Sequence, residues 1–277
     1  MLTYPNIDPV ALDLGFAQIH WYGITYLLAF AGSWLLLNYR VKLYQANNRA
    51  TFLTTKFIED VLFYGALGVI LGGRLGYTLF YNFDNFIHDP LTLIRIWQGG
   101  MSFHGGLLGV IISLWWFAKK NSISFLSLMD EVALVVPFGL ACGRIGNFIN
   151  AELWGRATDV PWAMIFPTDP LGLPRHPSML YEFILEGILL FIVLWLFAKK
   201  ARPKMAVSSL FVLMYGVFRF LVEFVRQPDA HMGDGGFIFG GWLTQGMILS
   251  LPMVLIGLFL FFLSFRLDTK SGKAQTS

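Results

Sequence analysis

The stretch GRIGNFINAELWGR, Gly143 to Arg156, carries two arginines, two asparagines and a glutamate, and it directly follows the apolar run EVALVVPFGLAC. Arg144 and Asn147 stand three residues apart, so on a helix they share a face. A second set has the same character. Tyr215, Arg219 and Glu223 are spaced by four, and Arg226 follows three later on that face. Two arginines from different helices suit one anionic group, because a guanidinium is a planar fork matched to phosphate oxygens and stays charged when buried. Glu152 and Glu223 are placed to orient such forks and keep them from folding onto each other. His104 stands between Gly99-Gly100 and Gly105-Gly106. Glycine admits close approach of backbone or ligand, and imidazole is the side chain that titrates near neutrality. The plainer alternative is an intrahelical Arg219–Glu223 pair, an interfacial histidine, and ion pairs that do no more than tie helices together.

The elements that position these groups follow from composition. The 277 residues are 56% hydrophobic and 13% charged, against about 25% charged for an average soluble domain. That leaves too little polar surface to coat a soluble globule. Hydropathy predicts about seven spans, at roughly 20–39, 57–80, 101–118, 123–148, 179–198, 206–225 and 242–265, each near the ~20 apolar residues that cross a bilayer. The expected fold is all-α: a polytopic membrane helix bundle forming one integral membrane domain over residues 1–277. The N-terminus lacks a basic region before its first apolar run, so the first span is expected to remain as an anchor. A single cysteine, Cys142, excludes an internal disulfide and reads as a small packing residue. Net charge is only +3, which gives no reason to expect nucleic acid.

Thirteen Lys and Arg fall in the segments 40–56, 119–122, 199–205 and 266–277, against four in 1–19, 81–100, 149–178 and 226–241. By the positive-inside rule the first group is cytoplasmic, so the N-terminus is outside and the C-terminus inside. The loops 81–100, 149–178 and 226–241 then face the periplasm. Long Pro- and Gly-rich connections such as these often cap or gate a site.

Charged side chains in a bilayer cost roughly 2.5–3.5 kcal/mol each on insertion scales, so their depth matters. With directions assigned, His20, Tyr22 and Tyr26 lie in the outer third of the first span, and Arg74 and Tyr77 near the outer end of the second. His104, Arg144 and Asn147, then Glu182 and Glu186, then Tyr215, Arg219 and Glu223 arrive at the same level from four further spans. Convergence in the outer leaflet favours a shared site. Glu59, Asp60, Asp130 and Glu131 lie toward the cytoplasmic half and read as structural partners. No histidine spacing supports a metal site, and no nucleophile elbow or P-loop is present.

These segments resemble the bacterial prolipoprotein diacylglyceryl transferases. GRIGNFINAELWGR is close to that family's signature in residue type and spacing, and IHWYGITY (19–26), GGMSFHGGLLG (99–109), RHPSMLYE (175–182) and YGVFRFLVEFVRQPD (215–229) match its other recurring segments in the same order. The resemblance implies transfer of a diacylglyceryl group from phosphatidylglycerol to the lipobox cysteine thiol of a prolipoprotein, with glycerol 1-phosphate leaving. It implies no metal or other cofactor, the inner membrane of a bacterium, and an active site facing the periplasm. It carries over Tyr26, His104, Arg144, Asn147, Glu152, Gly155, Tyr215, Arg219 and Glu223 as functional positions. Arg144 and Arg219 would stabilise charge on the departing phosphate, His104 is the candidate base, and Asn147 with the Tyr26 and Tyr215 hydroxyls would hold the headgroup or the lipid esters. A transporter or flippase for an anionic lipid would use an outer arginine cavity equally well, but it predicts polar residues continuing inward and paired halves, neither of which is evident. Another phospholipid-using transferase is separated from this reading only by the resemblance.

Overall fold

A computed structural model describes residues 2–95, 97, 99–228, 237–239 and 242–274. The chain divides into two compact units, Met1–Ser33 together with Met129–Ser277, and Trp34–Leu128. It is mostly helical. The long helices are α1 (Trp21–Ala46), α2 (Thr55–Tyr81), α4 (Phe103–Lys120), α5 (Phe125–Ile149), α8 (Ala206–Val222) and α9 (Gln245–Ala274), with a short α3 (Phe83–His88). Between α5 and α8 a continuous helix runs as α6 (Ser178–Glu182), a π-helical segment (Phe183–Leu189) and α7 (Leu190–Phe197). Among the described residues, four helices are long and apolar enough to cross a membrane: Thr55–Tyr81, Phe125–Ile149, Ser178–Phe197 and Gln245–Thr269; Ala206–Val222 is a shorter apolar helix.

The all-α expectation holds in the mostly helical chain, with short strands added in the connections. Short strands stand in the connections: β1 (Leu2–Thr3), β2 (Val10–Asp13), β3 (Gln18–His20), β4 (Met164–Ile165), β5 (Pro174–Arg175), β6 (Phe237–Phe239) and β7 (Leu243–Thr244). β4 pairs parallel with β1 and antiparallel with β5, while β2–β3 and β6–β7 are hairpins. Backbone polar groups that leave a helix must still find partners, and these pairings supply them. His20, expected inside the first span, is the last residue of β3. Arg40 and Lys42, counted in a connection, lie inside α1, and Arg40 is buried with Nη2 2.9 Å from the Tyr44 hydroxyl. Much of the expected loop 226–241, with Asp229 and Asp234, falls outside the described residues.

In the Trp34–Leu128 unit, α2 and α4 meet through glycine. A Cβ on Gly109 would sit 2.1 Å from the Gly68 carbonyl oxygen, one on Gly105 2.4 Å from that of Gly72, and one on Gly72 2.3 Å from that of Gly105. The helices therefore touch backbone to backbone, as small residues permit in membrane helices. Thr54 caps α2 by accepting from Phe57 N at 3.2 Å, and Ser102 caps α4 by accepting from Gly105 N at 3.2 Å. Arg74 on α2 is buried and donates to the carbonyls of Thr92, Leu93, Arg95, Gly99 and Gly100. It organises the connection before α4 and belongs to no described ion pair. Gly99 and Gly100 take left-handed φ of 78° and 82°, and a side chain on Gly100 would strike the Tyr77 ring. The glycines around His104 are thus accounted for by backbone packing.

In the other unit, Leu134, Leu190, Leu194, Val207 and Phe218 form a core joining α5, α7 and α8. Asp130 of α5 accepts from Met205 N (2.7 Å), Ser208 N (2.8 Å) and Ser208 Oγ (2.8 Å), so it caps α8 from another helix, in keeping with a structural role. The 149–178 connection is built on two anchors. The Tyr4 hydroxyl donates to Phe148 O at 2.7 Å, with its ring against Phe148 and Phe166. Arg175 makes a two-pronged pair with Asp169 at 2.8 and 3.0 Å and lies 4.2 Å over the Trp154 ring. The Arg175 hydrogen bonds hold the Asp169 carboxyl below the usual carboxylate range.

Two predictions follow from this packing. Gly109→Val should cost about 1–3 kcal/mol or more through overpacking, seen as a lower melting temperature of the detergent-purified protein. The Asp169 contribution is complete above the ordinary aspartate value of 3.8 and fades as the pH falls through the lower folded value. Asp169→Asn should therefore melt lower than the parent at neutral pH, with the gap closing on acidification.

Candidate active site

The helix α5 delivers its polar face in its last turns. Arg144 Nη1 donates to Asn147 Oδ1 at 3.3 Å, and Asn147 Nδ2 donates to Glu152 Oε1 at 2.7 Å. Glu152 can reach back because the chain reverses after Ile149: Ala151 and Leu153 take left-handed φ of 53° and 59°, and Glu152 N donates to Asn147 O at 3.0 Å. Gly146 lets α1 come close, since a Cβ there would lie 2.7 Å from the Tyr22 ring and 2.8 Å from Thr25 Oγ1. Beyond the turn, Gly155 N donates to His176 O and Arg156 N to Val225 O, both at 2.8 Å, and Gly155 bridges to Arg226. A Cβ on Gly155 would sit 2.4 Å from Val225 O and 2.8 Å from His176 Cβ. Only glycine fits there. Arg156 completes the tie by donating to Arg226 O (3.0 Å) and Glu223 O (3.1 Å).

The charged centre lies where this stretch meets α6 and α8. Glu182, the last residue of α6, splits its two oxygens between helices. Oε2 is 2.6 Å from Arg144 Nε, and Oε1 accepts from Arg219 Nη1 at 2.9 Å, with Arg226 Nε 3.8 Å away. The Arg144–Glu182 contact is close but off the hydrogen-bonding direction, so neither of those atoms has a hydrogen-bond partner. Glu186 Oε2 is 3.5 Å from Arg144 Nη2, and its Oε1 is buried with no partner. Glu223 pairs with Arg219, lies 3.6 Å from Arg226 Nη1 and accepts from Thr244 Oγ1 at 2.6 Å. Gly246 makes room for it, because a Cβ there would be 2.3 Å from Glu223 Cδ.

Burial is uneven across these pairs. The side chains of Glu182, Glu186 and Glu223 are 1%, 0% and 1% exposed, whereas those of Arg144, Arg219 and Arg226 are 19%, 17% and 14% exposed. The carboxylates are out of contact with solvent, and the arginine side chains keep part of their surface open. Removing one member of such a buried pair leaves an uncompensated charge and costs about 3–5 kcal/mol. An arrangement of this kind can present several donors to one further anion.

Of the positions expected from sequence, Arg144, Asn147, Glu152, Gly155, Arg219 and Glu223 come together in this network. Glu152 holds Asn147 and touches no arginine among the described contacts, so its expected orientation of a guanidinium runs through Asn147. Tyr215 sits one turn before Arg219, stacked on Phe211 with centroids 5.8 Å apart and packed against the apolar core. Tyr26 is 49% exposed and its hydroxyl lies 3.3 Å from that of Tyr22. His104 belongs to the other unit, exposed in the first turn of α4 with its ring edge against Phe103 at 5.6 Å. Sequence reasoning placed Glu182, Glu186 and Arg226 near the site without a role, and gave none to Thr244. The available signal was two acids four apart at the head of an otherwise apolar span, each too costly to keep there unpaired.

A family model described as prolipoprotein diacylglyceryl transferase matches residues 9–263. The chain is 55% identical over 274 residues to the phosphatidylglycerol–prolipoprotein diacylglyceryl transferase of Pseudomonas paraeruginosa, covering 99% of this chain and 100% of the relative. It is 55% identical over 276 residues to that of Pseudomonas savastanoi pv. phaseolicola, covering 99% of each. With the enzyme of the same description from Ectopseudomonas mendocina it shares 54% over 274 residues, 99% of this chain and 100% of the relative.

The backbone packing at Gly155 is directly testable. Gly155→Ala should force the backbone at Gly155 off Val225 and His176, at about 1–3 kcal/mol. Faster proteolytic cleavage in the 149–178 connection than in the parent protein is the expected readout.

Proposed function

Because the chain belongs to the prolipoprotein diacylglyceryl transferase family, we infer that it is an enzyme of lipoprotein maturation that transfers the diacylglyceryl group of phosphatidylglycerol to the lipobox cysteine thiol of a prolipoprotein. A thioether forms and glycerol 1-phosphate leaves. The reaction is displacement at an sp3 carbon. The cysteine sulfur attacks the glyceryl carbon esterified to phosphate, the C–S bond forms, and the C–O bond breaks with its electrons going to the phosphate oxygen. The thiol proton must go to a base, because the thiolate is the nucleophile.

One observation carries the assignment of roles: guanidiniums from α5 and α8 meet at a single buried carboxylate, and their side chains stay 19% and 17% exposed. The phosphodiester carries one negative charge and the departing monoester approaches two. Donors fixed before the reaction stabilise that growing charge more than they stabilise the intact diester, which lowers the barrier. Arg144 and Arg219 are the donors in this reading. Asn147 with Glu152 holds Arg144 in place, Glu223 does the same for Arg219, and Gly155 keeps the strand that ties them to Arg226. The Tyr26 and Tyr215 hydroxyls are assigned to the headgroup or the lipid esters. His104 is assigned the thiol proton, an assignment that rests on its sequence setting.

The same reading places the enzyme in the bacterial inner membrane as about seven spans, with the N-terminus outside, the C-terminus cytoplasmic and the site in the outer leaflet facing the periplasm. The thirteen-to-four asymmetry of basic residues supports that orientation. A periplasmic site meets the two substrates where a membrane-bound signal peptide and the donor lipid share one leaflet.

Purified protein incubated with phosphatidylglycerol and a lipobox peptide should release glycerol phosphate, and a Cys→Ser peptide should abolish the release. Arg144→Ala and Arg219→Ala should each lower kcat by about 10²–10³, the scale of losing one oxyanion donor. Near-normal turnover in both would remove the clamp. His104→Gln should slow turnover, and unchanged activity would show that the cationic field alone ionises the thiol.

A further inference from the structure

We propose that Glu182 is the positioning residue of the phosphate clamp, the buried counter-ion at which Arg144, Arg219 and Arg226 converge so that their outer edges face the donor phosphate. The inference rests on the transferase reading above and adds a residue that the family signature stretch does not contain.

Three guanidiniums brought to one point repel one another, and more strongly where water is excluded. They need a shared anion to stay together. Glu182 is that anion: Oε2 faces Arg144 at 2.6 Å, and Oε1 faces Arg219 at 2.9 Å and Arg226 at 3.8 Å. No other described carboxylate contacts all three. Its side chain is 1% exposed while theirs are 14–19% exposed. It therefore holds the forks from the buried side, and what remains open of the Arg144 and Arg219 side chains is left to a ligand.

The backbone around Glu182 is shaped for this placement. The π-helical segment begins at the next residue, Phe183. Such wide turns are rare and concentrate at functional sites. Within it, Gly187 packs on Ala141, where a Cβ would lie 2.8 Å from Ala141 Cβ. That contact draws the helix against α5 less than one turn from Arg144. Glu186 on the same segment touches Arg144 Nη2 at 3.5 Å, and Asn147 accepts from Nη1 at 3.3 Å. Arg144 is thereby held from several directions, as pre-organised catalysis requires.

The consequence separates positioning from mere scaffolding. Neutralising Glu182 lets the guanidiniums splay, which costs turnover, yet it leaves the cluster one unit more positive, which favours anions. Turnover and anion affinity should move in opposite directions. In the full-length, detergent-purified protein, Glu182→Gln should lower kcat by about tenfold to a hundredfold. The same variant should be inhibited by glycerol 1-phosphate at roughly fivefold lower concentration. Glu182→Asp keeps the charge but withdraws it by one methylene, so kcat should fall while inhibition by glycerol 1-phosphate stays at the parent value. Parental kcat in either variant overturns the proposal. So does a parallel fall of kcat, anion affinity and melting temperature in Glu182→Gln, which is what a structural role alone produces. If the parent protein releases no glycerol phosphate from phosphatidylglycerol and a lipobox peptide, it is the transferase reading that fails instead.

Discussion

A carboxylate almost wholly out of contact with solvent, shared by guanidiniums from two helices, is the interaction on which the charged centre of this protein depends. Burying an isolated charge is prohibitive, and even a buried pair recovers its desolvation only when the geometry is good and further hydrogen bonds complete it. The network around Glu182 meets that condition in part. Glu223 is satisfied by Arg219 and Thr244, and Asn147 by Arg144 and Glu152. Arg144 Nε, Glu182 Oε2 and Glu186 Oε1 are left without hydrogen bonds. Incomplete satisfaction is costly for stability, and among the described residues it is confined to this cluster.

Glycine does much of the work that brings these groups into range, and it does so by sterics more than by flexibility. Gly155, Gly246, Gly146 and Gly187 each stand where a single methyl would collide with backbone, with a packed side chain or with the carboxylate of Glu223. In the Trp34–Leu128 unit the same device packs α2 on α4. Without a hydrophobic drive between helices in lipid, close backbone approach supplies dispersion that bulkier residues would block. The signature stretch 143–156 is thus as much a packing instruction as a chemical one: its glycines admit α1 and the Arg226 strand, and its polar residues face the space so created.

The 149–178 connection shows how a long Pro- and Gly-rich loop becomes a fixed part of the site. Asp169 and Arg175 tie it internally, and Tyr4 ties it to the end of α5. Bridges from Gly155 to Arg226 and from Ala157 to Arg175 carry that order to the end of α8. Arg226 therefore reaches the cluster from a single bridged position just beyond the end of α8.

The sequence by itself determined the mostly helical class, the starts of the long helices to within a few residues, and most members of the cluster. Apolar run length and the spacing of Arg144, Asn147, Arg219 and Glu223 are local properties, and local periodicity decides which side chains share a face. Tertiary structure alone decided which charges pair. Glu182 and Arg226 lie 38 and 82 residues beyond Arg144 in the numbering, and no spacing rule couples positions so far apart on separate elements. It also decided that Arg74, as costly in an apolar span as Arg144, is used up on five backbone carbonyls of its own unit. A charge in a hydropathy plot records only that burial was expensive. What offsets that expense, a carboxylate or a row of carbonyls, depends on which helix ends and loops the folded chain brings alongside it.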